Sequence, residues 1–231
     1  MKIIKSTKII LNVLLFALLF TACSKSDSLD SAPIYISGVS LIQASPTTEK
    51  LDVYISNTRA SKDDFSFGEK TDYLNVYSGS RTFTLTKKNS ATPLTSAPFT
   101  LEATKGYSLF VIDKLENVKF LLLTDDLILP ESGKAKVRFV NLSPDGGTLN
   151  LAIAGKTTDL ATNKAFKDYS SFELVDAAEK VTFNIKNGAG LVEATLPDVK
   201  IESGKIYTIW TKGLKSAIDD TKFGAAIFTH K

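Results

Sequence analysis

The chain has 231 residues and a formal net charge of +3 at pH 7, with 43% hydrophobic and 23% charged residues. Three lysines, Lys2, Lys5 and Lys8, precede an apolar run, and the chain without this segment has 25 basic and 25 acidic residues. A balanced charge excludes the general attraction to phosphates that nucleic-acid binding requires, so nucleic acid is not expected as a partner. One cysteine, Cys23, and one histidine, His230, are too few for zinc sites, and no cofactor is expected.

The first segment of the chain has the pattern of an export signal. The basic start is followed by twelve mostly apolar residues, Ile9 to Phe20. A membrane-spanning helix needs about 20 such residues, because the hydrocarbon core is roughly 30 Å thick. The sequence therefore predicts a signal peptide over residues 1–22 rather than a membrane span.

The signal ends in Thr21-Ala22-Cys23, which resembles the lipobox of bacterial lipoproteins. The resemblance implies that Cys23 is lipidated on sulfur and becomes the new N-terminus, with residues 23–33 as a polar tether. Two or three acyl chains anchor a protein stably, at about 0.8 kcal/mol per buried CH₂. Because Ser24 is unlike the aspartate that retains lipoproteins in inner membranes, we expect the outer membrane of a Gram-negative bacterium. The periplasmic and surface faces both stay open.

The rest of the chain contains an internal repeat. VSLIQASP at 39–46 matches VRFVNLSP at 137–144, an offset of 98 residues. Further along, YSLFV at 107–111 matches YTIWT at 207–211, an offset of 100. Repeats at a fixed offset indicate duplicated structural units. The sequence thus predicts two homologous modules.

Each module has the pattern of a β-sandwich. Apolar and polar residues alternate at residues 51–55 and again at 149–153, which is typical of half-buried strands. Turn residues such as Pro144-Asp145-Gly146-Gly147 separate these runs. About seven short strands per module are typical of an immunoglobulin-like sandwich. The predicted fold is all-β, with two tandem immunoglobulin-like modules after the lipoprotein signal peptide.

The module boundaries follow from the repeat and from a Pro- and Gly-containing connector. We expect the first β-sandwich module at 34–126, a linker at 127–133 and the second module at 134–231. Tyr107 and Tyr207 open equivalent strands, expected to be the sixth in each module. Sandwiches often keep a tyrosine there whose hydroxyl bonds upstream backbone, so both are predicted to form such corners.

The stretches VRFVNLSPDGGTLNLAIAG and SGKIYTIWTKG resemble the bacterial family called domain of unknown function 4397. The second module matches both motifs, and the first is more divergent, with Gln43-Ala44-Ser45-Pro46 in the first motif. The resemblance implies β-sandwich modules on exported or envelope proteins. It implies no reaction.

Few residues suggest catalysis. His230 is the penultimate residue and is expected to be solvated, so a Ser-His-Asp triad is not expected. Paired carboxylates would suffice for glycoside hydrolysis. The acidic doublets lie among polar residues, where solvated turns are expected: Asp63-Asp64, Asp125-Asp126 and Asp219-Asp220. No catalytic residue is predicted.

Aromatic side chains are the remaining candidates for ligand contact. Tyr54, Tyr73 and Tyr77 are candidates because exposed rings offer flat apolar faces to sugars or proteins, and cross-strand packing is the alternative. Trp210 is assigned to a core or to the module junction. The run at 120–123 is apolar on both faces, so it is either buried between the modules or an exposed edge, and a contact between the modules is the preferred interpretation.

Together these observations predict a non-catalytic, lipid-anchored envelope protein that serves as an interaction or structural module. Its partners would be the membrane, through the N-terminal lipid, and an envelope protein or a glycan. A glycan-binding accessory lipoprotein is the alternative, and a carboxylate-dependent hydrolase is the third hypothesis.

Overall fold

The computed structural model describes residues 35–230. The predicted signal peptide, the lipidation of Cys23 and the tether lie outside these residues and stay predictions. Within the described part of the chain, no helix has the length and apolar character needed to cross a membrane.

The first half of the described chain forms eight strands. A single turn of 3-10 helix, Leu115–Asn117, precedes the last of them. The strands are β1 (Ile36–Gln43), β2 (Leu51–Ile55), β3 (Thr58–Arg59), β4 (Leu74–Tyr77), β5 (Gly79–Lys87), β6 (Pro93–Leu101), β7 (Gly106–Ile112) and β8 (Lys119–Asp125).

The second half repeats the same series. Its strands are β9 (Lys134–Asn141), β10 (Leu149–Ile153), β11 (Ala161–Lys164), β12 (Glu173–Asp176), β13 (Ala178–Asn187), β14 (Val192–Ile201), β15 (Ile206–Lys212) and β16 (Gly224–His230).

Each half forms two four-stranded sheets. The first half has the orders β4-β1-β7-β8 and β3-β2-β5-β6, and the second half has β12-β9-β15-β16 and β11-β10-β13-β14. Among the strands of residues 35–230, β1 with β7 and β9 with β15 pair in parallel, and the other strand pairs are antiparallel. We call β1–β8 the N-terminal sandwich and β9–β16 the C-terminal sandwich. The all-β prediction is confirmed, with eight strands per sandwich instead of about seven.

The alternation of apolar residues places one hydrophobic core inside each sandwich. Leu51, Val53 and Ile55 of β2 all enter the N-terminal core, as the period of two predicted. Leu149 and Leu151 of β10 do the same in the C-terminal core. Burial of these side chains supplies most of the stabilisation of each unit, at about 25 cal/mol per Å² of apolar surface.

The tyrosine corners are present in both sandwiches. The backbone N–H of Glu102 donates to the Tyr107 hydroxyl oxygen at 2.9 Å, and that of Glu202 donates to Tyr207 at 3.0 Å. Both tyrosines are nearly buried, so each hydroxyl satisfies a backbone donor that the strand ladder leaves free. The prediction is confirmed, although the strands concerned are the seventh of each half.

A third apolar cluster joins the two sandwiches. Trp210 is 2% exposed within it, and its ring packs edge-on against Phe67 of the other sandwich at 6.5 Å between centroids. Leu121 and Leu123 also face this cluster, whereas Phe120 and Leu122 face the N-terminal core. The apolar run at 120–123 is therefore covered on both faces, as the interpretation of a contact between the modules required.

Equivalent positions of the two halves build this junction. Phe110 pairs with Leu121 across β7 and β8, and Trp210 pairs with Ala226 across β15 and β16. All four residues belong to the junction cluster. The contact resembles an isologous interface, in which the same surface patch of two copies meets itself.

Candidate functional site

A buried cluster of polar side chains lies in this junction. Arg138 of β9 donates from Nη2 to Oδ1 of Asp125, the last residue of β8, at 2.8 Å. The two side chains are 2% and 0% exposed. Arg138 also donates from Nη1 to the carbonyl oxygen of Thr124, and its guanidinium lies 4.6 Å from the ring centroid of Phe172. A charge pair without water is stable only when its remaining polar atoms are also satisfied.

Hydroxyl groups make the remaining hydrogen bonds to the Asp125 carboxylate. The Ser108 hydroxyl lies 2.9 Å and 3.0 Å from the two carboxylate oxygens of Asp125, and the Tyr73 hydroxyl donates to Oδ2 at 2.6 Å. His230 lies between Tyr73, 2.7 Å from Nδ1, and Thr208, 2.8 Å from Nε2. Because the one phenolic proton is given to Asp125, we assign the imidazole proton to Nδ1, so that Nε2 accepts from Thr208.

Burial sets the protonation of this cluster. It lowers the pKa of His230 to about 4, against the opposing attraction of Asp125, so the imidazole is neutral near pH 7. Burial and the Asp125 carboxylate raise the pKa of Tyr73, which stays protonated. Burial also lowers the pKa of Arg138, and Asp125 opposes this effect. The cluster thus holds one ion pair and neutral hydrogen-bonding groups.

The expectation that His230 is solvated is wrong. The residue is 2% exposed and lies at the end of β16, opposite Ile206 in the ladder with β15. The end of β16 is held in place although it is close to the C-terminus, because β16 pairs with β15 along its whole length. The residue pattern of β16 shows no direct sign of this burial, because the side chains that cover the strand belong to the junction.

The three acidic doublets differ in their exposure to solvent. Asp125 is buried, so the prediction of a solvated turn is wrong for it, while Asp126 is exposed and pairs with Lys136 at 2.5 Å. The doublets Asp63-Asp64 and Asp219-Asp220 are exposed, as expected. Among residues 35–230, no group of three or more His, Cys, Asp or Glu side chains is placed to hold a metal ion.

A groove opens on the N-terminal sandwich between β3 and β4, the edge strands of its two sheets. Its volume is about 480 Å³, within the range of small-ligand sites. Ile55, Leu74 and Val76 provide its apolar surface. Its polar lining residues are Ser56, Thr58, Arg59, Asn75, Tyr77 and Arg81.

The two arginines of the groove differ in whether a carboxylate pairs with them. Arg59 is paired with Asp52 and Asp63, both at 2.7 Å. Arg81 instead donates to backbone carbonyl oxygens, from Nε to Tyr77 at 2.7 Å and from Nη2 to Ser78 at 2.8 Å. Arg81 therefore forms no ion pair within the described residues. We call this groove the N-terminal groove.

The C-terminal sandwich has a groove of about 420 Å³ at the equivalent place. Asp176 takes the position of Tyr77, because each is the last residue of the strand that pairs with the start of β9 or β1. Lys134 takes the position of Ile36, and the Lys134 ammonium lies 2.6 Å from the Asp176 carboxylate. This groove has no aromatic lining residue.

The three predicted ligand-contact tyrosines occupy different places. Tyr77 is 62% exposed at the N-terminal groove. Tyr73 precedes β4 and gives its hydroxyl to the junction cluster. Tyr54 is half-buried on β2, between Arg59 of β3 and Thr84 of β5. The structure does not bring the three onto one surface, and ligand contact by any of them stays a prediction.

Sequence reasoning missed Arg81 at the groove and Arg138 at the junction. A comparison of the two repeats offers a signal for both, since Arg138 stands where the first repeat has Ser40, and Arg81 where the second has Val181. A charged residue in only one copy of a duplicated strand indicates a local specialisation.

The model of the family Domain of unknown function (DUF4397) matches residues 37–152. The chain belongs to this family. The DUF4397 match covers the N-terminal sandwich and continues into β10 of the C-terminal one. A comparison with curated proteins finds no match.

Several solved structures resemble this DUF4397 chain weakly. They include an alpha-glucan-binding streptococcal virulence factor, at 11% identity over 84% of this chain and 97% of that one, with a TM-score of 0.26. A family 26 carbohydrate-binding module from Eubacterium rectale, in complex with maltoheptaose, has 9% identity over 85% and 96%, with a TM-score of 0.26. Streptococcal family 41 carbohydrate-binding modules have 12% identity over 82% and 96%, with a TM-score of 0.23. Similarity at this level carries no inference about function.

Proposed function

We propose that this protein is a non-catalytic, lipid-anchored component of the cell envelope that acts as an interaction or structural module. One observation carries the proposal: the single histidine, His230, and the ion-paired carboxylate of Asp125 are buried in the junction at 2% and 5% exposure. Groups so placed cannot reach a substrate. The described surface offers grooves between edge strands instead.

The third hypothesis, a carboxylate-dependent hydrolase, lacks such support. Glycoside hydrolysis needs two acids flanking one bond at about 5–10 Å. The lining of the N-terminal groove contains neither aspartate nor glutamate, and that of the C-terminal groove contains only Asp176. Turnover of glycan oligomers by the purified protein would contradict the non-catalytic role.

The anchor is part of the proposal and rests on the lipobox-like Thr21-Ala22-Cys23. The tether from Ser24 to Pro33 has ten residues, which span at most about 35 Å when fully extended. This length lets the two sandwiches stand clear of lipid headgroups. The membrane is then the first partner, through the lipid, and the outer membrane is the proposed location.

The decisive experiment replaces the lipidated residue. In Cys23→Ala the protein is expected to leave the membrane fraction, because no acyl chain can be attached, while the matched control Ser24→Ala stays bound. Retention of Cys23→Ala in membranes would contradict the anchor. Protease treatment of intact cells, with lysed cells as control, then separates the surface face from the periplasmic face.

A further inference from the structure

We propose that the N-terminal groove binds an anionic saccharide, with Tyr77 as the stacking surface and Arg81 as the partner of the acidic group. The inference rests on the proposed function, because it names the ligand class of an interaction module. It concerns one side of one sandwich and leaves the junction and the C-terminal groove without a binding role.

Tyr77 supplies the aromatic surface. Tyr77 is 62% exposed, and it lines the groove together with the apolar Leu74 and Val76. Within residues 35–230 its hydroxyl makes no hydrogen bond to another side chain or to backbone. An exposed phenol ring offers an apolar face and a polar tip, which match the C–H face and the hydroxyl edge of a sugar ring.

Arg81 supplies the charge. A guanidinium has five N–H donors, and three contacts hold it to the carbonyl oxygens of Tyr77, Ser78 and Ser80. Two N–H groups therefore stay free, and no carboxylate of the described chain lies within ion-pair distance. Since the groove lining contains no acidic residue, the site favours a ligand that brings a carboxylate or a phosphate.

The same arginine disfavours a peptide ligand. A peptide that added to the edge of β4 would need the outward main-chain groups of that strand. The carbonyl oxygen of Tyr77 already accepts from Arg81 Nε at 2.7 Å. A ligand that stacks on the ring and hydrogen-bonds to side chains does not compete with this contact.

Neutral polar groups around the groove suit sugar hydroxyls. Ser56, Thr58 and Asn75 line it, and none of their side chains makes a hydrogen bond within the described part of the chain. Hydroxyl and amide groups both donate and accept, as a sugar hydroxyl does. A few such groups around an apolar surface are the usual composition of a small-ligand site.

The second repeat serves as an internal comparison. At the equivalent positions it has Asp176 for Tyr77 and Val181 for Arg81, and the Lys134–Asp176 ion pair replaces the exposed aromatic edge. Of the two sandwiches, only the N-terminal one therefore has an exposed aromatic ring, Tyr77, and an arginine without an ion pair, Arg81, at this place.

The test uses the purified full-length protein in detergent and isothermal titration calorimetry. The probes are oligogalacturonate and its methyl ester, which share a backbone and differ in charge. We expect binding of the acid form, with an affinity that falls at high salt, and at least about tenfold weaker binding of the ester and of Tyr77→Ala and Arg81→Gln. Tyr169→Ala is the matched control, since Tyr169 is 50% exposed outside the groove.

Each result decides one question. Loss of binding in Tyr77→Ala with an unchanged unfolding midpoint supports the site, and it does so even if Arg81→Gln loosens its turn and fails to fold. Absence of binding to oligogalacturonate at millimolar sugar overturns the inference, as does equal binding by Tyr77→Ala and Tyr169→Ala. Because the titration is independent of membrane attachment, it can fail while the Cys23→Ala experiment still supports the proposed function.

Discussion

Arg138 and Asp125 form a buried ion pair across the boundary between the two sandwiches, with 2.8 Å between Nη2 and Oδ1. Asp125 pairs with Gly106 at the start of β7, and His230 pairs with Ile206 at the start of β15. Asp125 and His230 are therefore equivalent residues of the two repeats. The duplicated surface meets itself, and the two copies carry different polar groups at the point of contact.

Removal of one member of the ion pair is expected to destabilise the whole unit. Arg138→Ala leaves the Asp125 carboxylate buried without its cation, at a cost of about 3–5 kcal/mol in the free energy of unfolding. Urea titration followed by circular dichroism measures the loss. The double variant Asp125→Leu with Arg138→Met should recover much of it, because no unpaired charge is then buried. Equal losses in the single and double variants would show that shape, not charge, decides.

His230 is expected to make stability depend on pH. Its pKa is about 4 in the folded protein and near the ordinary 6.5 when unfolded. Between these values the unfolded chain binds more protons, so the free energy of unfolding rises with pH across this window by up to about 3 kcal/mol. The groups that act on its charge are Asp125, which favours the protonated form, and Arg138 and Lys70, which oppose it.

Urea unfolding at several pH values, with wild type and His230→Gln compared, isolates this contribution. The chain has a single histidine, so surface carboxylates act equally in both proteins. The variant is expected to lose the part of the slope that lies between pH 4 and 6.5. Parallel curves for the two proteins would mean that His230 titrates normally and is not buried as described.

The tyrosine corners predict a matched pair of small effects. Tyr107→Phe and Tyr207→Phe each remove a hydroxyl that accepts a backbone N–H, from Glu102 and from Glu202. Each change is expected to lower the free energy of unfolding by about 1–2 kcal/mol. Tyr77→Phe is the control, since that hydroxyl has no partner in the described residues, and thermal unfolding compares the three. An unchanged midpoint in both corner variants would contradict the structural role.

The linker offers a test of the junction. Ile128 and Leu129 are 77% and 68% exposed, so a recognition site for a sequence-specific protease placed in this linker should be cut between the sandwiches. The two halves are expected to elute together after cleavage, because the junction buries Trp210 and the Arg138–Asp125 pair. Trp210→Ala should let the cut halves separate. Halves that separate in the wild type would contradict a stable contact.

Part of this structure follows from the sequence alone. The period-two alternation at 51–55 and 149–153 identified strands and their core-facing residues, because side chains of a strand point to alternate faces. The repeat gave two copies of one strand order, and the positions of Tyr107 and Tyr207 gave both corners. These features depend on residues that are close in the chain or related by one fixed offset.

Only the tertiary structure shows that Asp125, Arg138 and His230 are buried together. A strand pattern shows which residues share a face, but it does not show whether that face meets water or another sheet. Asp125 looked like half of a solvated doublet because its partners lie elsewhere in the chain, Arg138 on β9 and Tyr73 just before β4. The N-terminal groove is similar, since Arg81 and Tyr77 gain their setting only when the edges of two sheets stand side by side. Burial and charge balance are properties of that assembly, and a single strand does not contain them.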